Sequence, residues 1–452
     1  MWKCCVQAVT GTGKNFRSNS TIELSVPRNG QAPRTIWPDG ANGLAGRVPF
    51  WGPIAWKVRQ SAGSAGDRVN SFWPGGVKLL TYESSRVLVL NPGSTSTKLG
   101  VYTRAGAELV RTLRHGDEEL ARFRGRPMVA RLEYRAGLIE RELEAAGYYQ
   151  AGLGVARFAA VAGRGGLLPP LSCGTYVVDE AMVEELRLAR RGEHASNLGA
   201  LLALKFAQAA GVNAYIVDPT TVDEWQPCAR LTGSRLVERT SIGHALNTKA
   251  VARRFAREQA RAYEALRLIV VHMGSGITVS AHRDGRMIDS NTIEEGPFGP
   301  DRTGGLPVRA LIKLCFSGRF TQAQLDRHVF GDGGLFAYLG TRDLIEVERR
   351  IGAGDGEAAA VFEAMIYQIA KEAGAMAAVL QGKVDAVLLT GGMAYSERAV
   401  KLLGGYVEWI APIRVYPGED ELQALAEGVF RVLDGEETAK RLGAQAAVDG
   451  AV

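Results

Sequence analysis

The chain has 452 residues, long enough for two domains that each have a hydrophobic core. Its 46% hydrophobic and 23% charged residues are typical of a soluble globular protein, and no apolar run approaches the roughly 20 residues that a membrane helix requires. The net charge of +6 comes from residues 1–85, which hold ten of the 54 basic residues but only four of the 48 acidic ones, so the neutral remainder does not indicate a nucleic-acid partner.

Residues 1–85 are predicted to be an irregular extension. They hold five of the seven tryptophans, are rich in Gly and Pro, and show no helical or strand period. Three interpretations stay open: a targeting segment, which would need an apolar run that is missing here, a small extra module, or upstream sequence from a wrongly chosen start, which we favour. The stretch Thr10–Asn15 superficially resembles a phosphate-binding loop, but Ala8 and Asn15 stand where that motif requires Gly and Ser or Thr.

From Arg86 onward the pattern predicts an α/β protein in which one unit occurs twice. Strands are expected over Val87–Leu90 and Thr97–Tyr102, with a turn at Asn91–Ser96 between them. About 180 residues later the same order of strand, Gly/Ser turn and strand returns, which indicates an internal duplication. This second copy consists of strand Arg267–His272, turn Met273–Gly276, strand Ile277–His282 and, after an Asp-Gly hairpin, strand Arg286–Ser290.

The other predicted elements alternate between helices and apolar strands. Further strands are expected over Ala214–Val217 and Val384–Thr390. The final helix is expected to begin at Glu419, because Pro417 and Gly418 precede it and acidic residues favour a first turn. The predicted helices are Asp179–Arg191, Leu198–Ala210, Thr248–Leu266, Gly356–Gln381 and Glu419–Leu433.

The cysteines and histidines do not form a recognisable metal motif. Neither metal-ligand spacing nor the density of a disulfide scaffold is present among Cys4, Cys5, Cys173, Cys228 and Cys315. Free thiols in a reducing compartment are the simplest interpretation, so a cytoplasmic protein is expected. The six histidines are scattered, and a structural zinc site is not expected.

Three glycine-rich turns that follow strands could present backbone N–H groups to an anion. The first turn is NPGSTSTK, where Gly93 permits close approach, Ser94 and Ser96 add hydroxyls and Lys98 adds a positive charge. The second is HMGSG, with His272, Gly274 and Gly276; the third is TGGMAYSE, with Gly391, Gly392 and Tyr395. Any one of them could be an ordinary turn. Three on one chain, two of them in a duplicated setting, favour a nucleotide between two related halves.

These motifs resemble a known family. VLVLNPGSTSTK (87–98) and VVHMGSGITVSAHRDG (270–285) resemble the two signatures of the acetate and butyrate kinase family, and the resemblance covers about residues 86–433. Finer features point to the butyrate kinase branch: GRGGLLPP (163–170), EHASNLGALLA (193–203), DPTTVDE (218–224), SIGHALNTKAVARRFA (241–256) and EGPFGPDRTGGLP (295–307).

The resemblance implies duplicated ribonuclease-H-like domains of the actin-like ATPase fold, with ATP in the interdomain cleft. Residues 86–219 with 421–452 would form the first domain, and residues 220–420 the second, nucleotide-binding one. It also implies an enzyme that uses ATP and Mg²⁺ to phosphorylate a short-chain fatty acid, butyrate or a branched analogue, to an acyl phosphate by in-line transfer, reversibly with ATP synthesis. A homodimer or larger assembly is expected as well.

The resemblance also assigns roles to individual residues. Arg164 would hold the substrate carboxylate, while Arg302 and His244 would stabilise the transferring phosphoryl group. Asp218, alternatively a simple turn cap, would contact Mg²⁺ or orient the carboxylate, with Asn91 in the metal and phosphate shell. His194 would join the substrate site or merely flank a helix. We expect guanidinium and imidazolium groups together to bring two anions into contact.

Two departures from the acetate kinase pattern bear on specificity. Tyr395 stands where acetate kinases carry a Glu near the metal. Butyrate kinases share this replacement of the Glu. Gly166 and Gly243 stand where acetate kinases have bulky apolar residues, which predicts a roomier acyl pocket. The rival hypotheses are an acetate or propionate kinase, a non-catalytic ATP-dependent switch of the same superfamily, and nucleic-acid binding by the basic extension.

Overall fold

Eleven strands and thirteen α-helices lie in residues 85–149, 158–292 and 294–443, which the computed structural model describes. The strands are β1 Val87–Pro92, β2 Ser96–Thr103, β3 Gly106–Arg114, β4 Ala160–Arg164, β5 Thr175–Val177, β6 Ala214–Val217, β7 Leu268–Met273, β8 Ile277–Arg283, β9 Arg286–Ser290, β10 Ala386–Gly391 and β11 Ile413–Pro417. The helices are α1 Asp117–Ala121, α2 Leu132–Ala145, α3 Glu180–Leu188, α4 Asn197–Ala210, α5 Pro227–Arg230, α6 Ala245–Glu258, α7 Val308–Cys315, α8 Gln322–Val329, α9 Gly334–Leu339, α10 Leu344–Gly352, α11 Gly356–Val379, α12 Glu397–Val407 and α13 Glu421–Leu433.

The strands form two sheets that share a five-stranded topology, to which the first sheet adds β5, antiparallel to β6. The first has the order β3-β2-β1-β4-β6-β5 and the second has the order β11-β10-β7-β8-β9. In each, an antiparallel three-stranded meander places its first strand beside a parallel strand, which is followed by another parallel strand. Strands β1, β4 and β6 therefore correspond to β7, β10 and β11, and the predicted duplication is confirmed.

Helices cover the sheets and produce the cores. Helix α4 packs on one face of the first sheet, where Leu198 and Phe206 join the core of Leu88 and Ile216. Helix α13, which is the last helix of the described ranges, packs on the opposite face through Leu425. Helices α11 and α12 pack on the second sheet. Strands that are buried on both faces explain the continuous apolar runs of the sequence.

Helix α6 contributes to the cores of both sheets. Leu246 near its start joins the core of the first sheet, whereas Phe255 packs with Val270 and Leu388 of the second. The prediction of a helix over Thr248–Leu266 was wrong in its bounds, because α6 begins at Ala245 and ends at Glu258. The helix ends there because Ala260 adopts a left-handed φ of 49°. Only a short 3₁₀ turn follows, at Tyr263–Ala265.

Most other predicted elements lie within about two residues of their expected bounds. Helix α3 is shorter at both ends, since Ala189 turns left-handed at φ 47° and ends it. None of the helices in the described ranges is long and apolar enough to cross a membrane. Cys173, Cys228 and Cys315 are free thiols, as predicted. The extension through residue 84, with Cys4, Cys5 and the Thr10–Asn15 stretch, lies outside the described residues.

Close backbone packing of β4 against α4 positions the end of β4. A Cβ at Gly199 would lie 2.2 Å from the Arg164 carbonyl oxygen, and one at Gly163 would lie 2.1 Å from the Gly199 carbonyl oxygen. We expect Gly199→Ala to lower the free energy of unfolding by about 1–3 kcal/mol, because α4 must move away from β4. Denaturant unfolding measures this change.

A matched control is Gly374→Ala in α11, where an added Cβ meets nothing within 4 Å. That variant should gain about 0.5–1 kcal/mol, the usual benefit of alanine over glycine inside a helix. Equal effects of the two substitutions would contradict the assigned contact between α4 and β4.

Candidate active site

Four of the predicted basic and histidine side chains converge between the two sheets. Arg164 is the last residue of β4, and His244 immediately precedes α6. A Cβ at Gly276 would lie 3.0 Å from Arg302 Nη1 and 3.1 Å from His244 Cε1. The positive charges of Arg164 and Arg302 both lower the pKa values of His194 and His244, so the four side chains lie near one another. The glycine motifs and the cationic motifs therefore meet at one site.

A buried histidine, His272, and a half-buried one, His244, stack at the centre of this site. The rings of His244 and His272 lie 3.9 Å apart between centroids, at an interplanar angle of 13°. Thr278 Oγ1 is 2.8 Å from His244 Nδ1, and Asn247 Nδ2 is 2.7 Å from His272 Nδ1. His272 Nε2 lies 3.2 Å from Glu419 Oε1 but lacks the alignment of a hydrogen bond, so this buried nitrogen has no hydrogen-bond partner in the protein.

Two histidines of the site, His244 and His194, are neutral in this state. Burial lowers the pKa of His244 well below its ordinary value, and His272, Arg164 and Arg302 lower it further. Burial and the same two arginines also lower the pKa of His194. The expectation that imidazolium groups supply positive charge is therefore wrong for His244 and His194. The guanidinium groups carry the charge.

Two acidic residues that the sequence analysis did not assign complete the site. Glu421, the first residue of α13, accepts a hydrogen bond from Arg164 and another, of 2.6 Å, from Asn91 Nδ2. Glu419 lies beside His272, and the pKa of its carboxyl is lowered by that histidine and by Lys98 and Arg164. Acidic residues were recognised here only as favourable for a helix start. Nothing local indicated that this helix start faces Asn91.

A buried arginine, Arg135, stabilises the first glycine-rich turn by hydrogen bonds to its carbonyl oxygens. Arg135 Nη2 donates to the carbonyl oxygens of Gly93 and Ser94, at 2.8 and 3.3 Å, and Nη1 donates to that of Ser96, at 3.2 Å. Burial lowers the pKa of Arg135 to about 10. The sequence analysis assigned no role to Arg135, which fixes the turn that precedes Lys98.

The second and third turns differ in their surroundings. A Cβ at Gly274 would lie 2.7 Å from Glu419 Oε1 and 3.0 Å from His272 Nε2, so a glycine here keeps the site open. Gly391 has a φ of 90°, and its Cβ would lie 2.4 Å from the Met273 carbonyl oxygen, which makes it a packing glycine. Gly392 has open space around it, and Tyr395 is 71% exposed.

Asp218 has partners outside this cluster. Its carboxylate is fully buried and accepts hydrogen bonds from Gly174 N and Arg253 Nη1, both at 2.7 Å. Burial opposes its ionisation, but Arg253 and Lys249 outweigh this and hold the pKa of Asp218 below its ordinary value. These contacts place Asp218 in an ion pair with Arg253 in the protein interior, and its expected contact with Mg²⁺ or with the substrate carboxylate stays a prediction.

The two glycines of the expected acyl pocket behave differently. A Cβ at Gly166 would lie 2.6 Å from Asn197 Oδ1 and 2.7 Å from Leu186 Cδ2. Gly166 therefore allows close packing against α3 and α4, and the expectation that it widens a pocket is wrong. A Cβ at Gly243 would lie 3.3 Å from Thr278 Oγ1, so this glycine keeps space free beside His244.

Comparison with known proteins agrees with this architecture. Residues 236–406 match the model of the acetokinase family. An acetate kinase structure from Porphyromonas gingivalis is 18% identical with a TM-score of 0.64, over 76% of this chain and 99% of that chain. A propionate kinase structure from Francisella tularensis is 16% identical with a TM-score of 0.60, over 76% of this chain and 98% of that chain. An acetate kinase structure from Entamoeba histolytica is 15% identical with a TM-score of 0.62, over 77% of this chain and 100% of that chain. The fold is the actin-like ATPase fold with duplicated ribonuclease-H-like halves.

Proposed function

We propose that this protein is a carboxylate kinase that transfers the γ-phosphoryl group of ATP to a short-chain fatty acid and also runs the reverse reaction. The observation that carries the proposal is the convergence of His244 and Arg302 on the second glycine-rich turn, between two duplicated halves, with Arg164 near enough for its charge to act on His244. The match of residues 236–406 to the acetokinase family supports the same chemistry. The expected homo-oligomer, the cytoplasmic location and the exact domain boundaries remain predictions.

The main barrier to this reaction is electrostatic. By analogy with Asp and Glu, whose pKa values are about 3.9 and 4.3, a fatty acid is already ionised at neutral pH and needs no strong base. Two anions must instead come into contact. Arg164 would bind the carboxylate through its planar guanidinium, and Arg302 would stabilise the charge on the equatorial oxygens of the transferring group.

The histidines would act as neutral donors in this scheme. His244 is uncharged because of its burial among cations, so it would orient an oxygen by a hydrogen bond. His272 presents a buried nitrogen without a partner in the protein, which a phosphate oxygen would satisfy. Glycines at positions 274 and 276 leave the space that this oxygen requires.

The donor set also fits magnesium. No group of three or more His, Cys, Asp or Glu side chains forms a metal cluster within the described ranges, and Mg²⁺ commonly uses one or two carboxylates together with water and phosphate. Glu421 and the side-chain oxygen of Asn91 are the two groups that would hold it beside Arg164. When bound, Mg²⁺ would neutralise charge on the phosphates.

Butyrate or a branched analogue is the substrate that we propose, with acetate or propionate as the alternative. Gly243 leaves free space beside Thr278 and His244, which favours an acid larger than acetate. The alternative is favoured by the fold match to acetate and propionate kinases. Each additional buried CH₂ should contribute about 0.8 kcal/mol, or roughly fourfold in kcat/KM.

A hydroxylamine trap for acyl phosphate tests this proposal. With ATP and Mg²⁺, kcat/KM is expected to rise about fourfold per added CH₂ from acetate through propionate to butyrate. Gly243→Val should reverse this preference by filling the space. A preference of the unaltered protein for acetate would refute the butyrate assignment alone. ATP binding without acyl phosphate from any acid would refute the carboxylate kinase and favour a non-catalytic switch.

A further inference from the structure

We propose that Asn247 and Thr390 are positioning residues that fix the tautomer of His272, so that its Nε2–H points at the second glycine-rich turn and donates to a phosphate oxygen. The identity of the phosphate ligand rests on the proposed function, whereas the tautomer does not. The three side chains come from α6, β7 and β10 and form one buried relay.

The relay begins at a group that can only accept. The Gly418 carbonyl oxygen accepts from Thr390 Oγ1 at 3.1 Å, which uses the single hydroxyl proton of that threonine. Thr390 Oγ1 must then accept from Asn247 Nδ2, at 3.3 Å. These two bonds set the orientation of the Asn247 amide.

The orientation of Asn247 decides which nitrogen of His272 carries the proton. The second N–H of the Asn247 amide lies 2.7 Å from His272 Nδ1. A nitrogen that accepts a hydrogen bond has no proton, so the proton of the neutral imidazole must be on Nε2. The unpartnered nitrogen of His272 is therefore a donor.

The packing of His272 directs this donor at a ligand. The residue is fully buried, its ring stacks on that of His244, which holds the ring plane, and the contact of Nδ1 with Asn247 selects one of the two ring orientations. A Cβ at Gly274 would lie 3.0 Å from Nε2, so the nitrogen faces the turn and the space above it. Glu419 lies 3.2 Å away but is not aligned to accept. An anion with several acceptor oxygens, such as a phosphate, is the chemistry that this donor suits.

Nitrogen-15 NMR of the histidine rings tests the inference without any turnover. The chain has six histidines, and His272→Gln identifies the signals of His272. We expect the Nε2–H form in the unaltered protein. Asn247→Asp should place a proton on Nδ1, because a carboxylate accepts and cannot donate. Thr390→Val should give a mixture of forms, while Thr390→Ser keeps the hydroxyl and should retain the Nε2–H form.

Kinetics then separate positioning from folding. Thr390→Val should raise KM for ATP about tenfold or more, the loss of about 1.4 kcal/mol, with little change in KM for the acid, and Thr390→Ser should restore it. An Nδ1–H form in the unaltered protein would overturn the inference while leaving the kinase proposal intact. An unchanged Nε2–H tautomer of His272 in the Asn247→Asp variant would also overturn the inference.

Discussion

Replacing Arg302 with alanine is expected to lower the rate of acyl phosphate formation by about 10³-fold or more, the scale on which removal of a transition-state arginine acts. Arg302 lies against Gly276 and His244, where the transferring group would pass. Because His244 and His194 are neutral, few other groups can replace its charge. The hydroxylamine trap measures the rate, and calorimetry with a non-hydrolysable ATP analogue should show nearly unchanged binding.

Two variants control this experiment. Arg302→Lys keeps the charge but loses the planar, two-pronged geometry, so it should recover only part of the activity. Arg309→Ala removes an exposed arginine from α7 and should leave the rate unchanged. A loss of less than tenfold in Arg302→Ala would contradict the proposed role, and parallel loss of nucleotide binding would assign Arg302 to ATP binding instead.

Replacing Lys249 with methionine is expected to lower the free energy of unfolding by about 3–5 kcal/mol, the cost of leaving a buried charge unpaired. Lys249 Nζ lies 2.6 Å from Glu224 Oε2, with side-chain exposures of 0% and 6%. Glu224 also accepts from Cys173 N and Met287 N, and so links the segment after β4 to β9. Denaturant unfolding measures the loss.

An exposed pair of the same residue types provides the matched control. Lys205 and Glu133 are 2.8 Å apart but 37% and 74% exposed, so Lys205→Met should cost at most about 1 kcal/mol. Combining Lys249→Met with Glu224→Gln should be less destabilising than the sum of the two single changes. The reason is that Glu224→Gln removes the buried carboxylate charge that Lys249→Met leaves unpaired. Equal losses for Lys249→Met and Lys205→Met would contradict the buried ion pair.

Several parts of the candidate site could be predicted because their signals are local. Glycine between a strand and a turn, a hydroxyl-rich turn and an arginine flanked by glycines are each visible in a few consecutive residues. His272 was found in this way, whereas the roles of Arg164, His244 and Arg302 were assigned by the family resemblance. Their convergence was expected from the duplication, and the contacts around Gly276 agree with it.

Other residues could not be predicted, since their partners are far away in the sequence. Glu421 is 257 residues from Arg164 and 330 from Asn91, and only the packing of α13 on the first sheet brings them together. Asp218 and Gly166 matched family motifs, but their partners, Arg253 and Asn197, lie on helices whose placement no local pattern contains.

What the sequence determined by itself is the repeated order of strands and the positions of the three glycine-rich turns. Side-chain alternation and backbone freedom are properties of neighbouring residues, so they can be read locally. Only the tertiary structure decided the charge of the histidines, the relay to His272 and the acidic partners of the site. Burial and hydrogen-bond partners are properties of the packed chain, because they depend on which distant segments exclude water from a group.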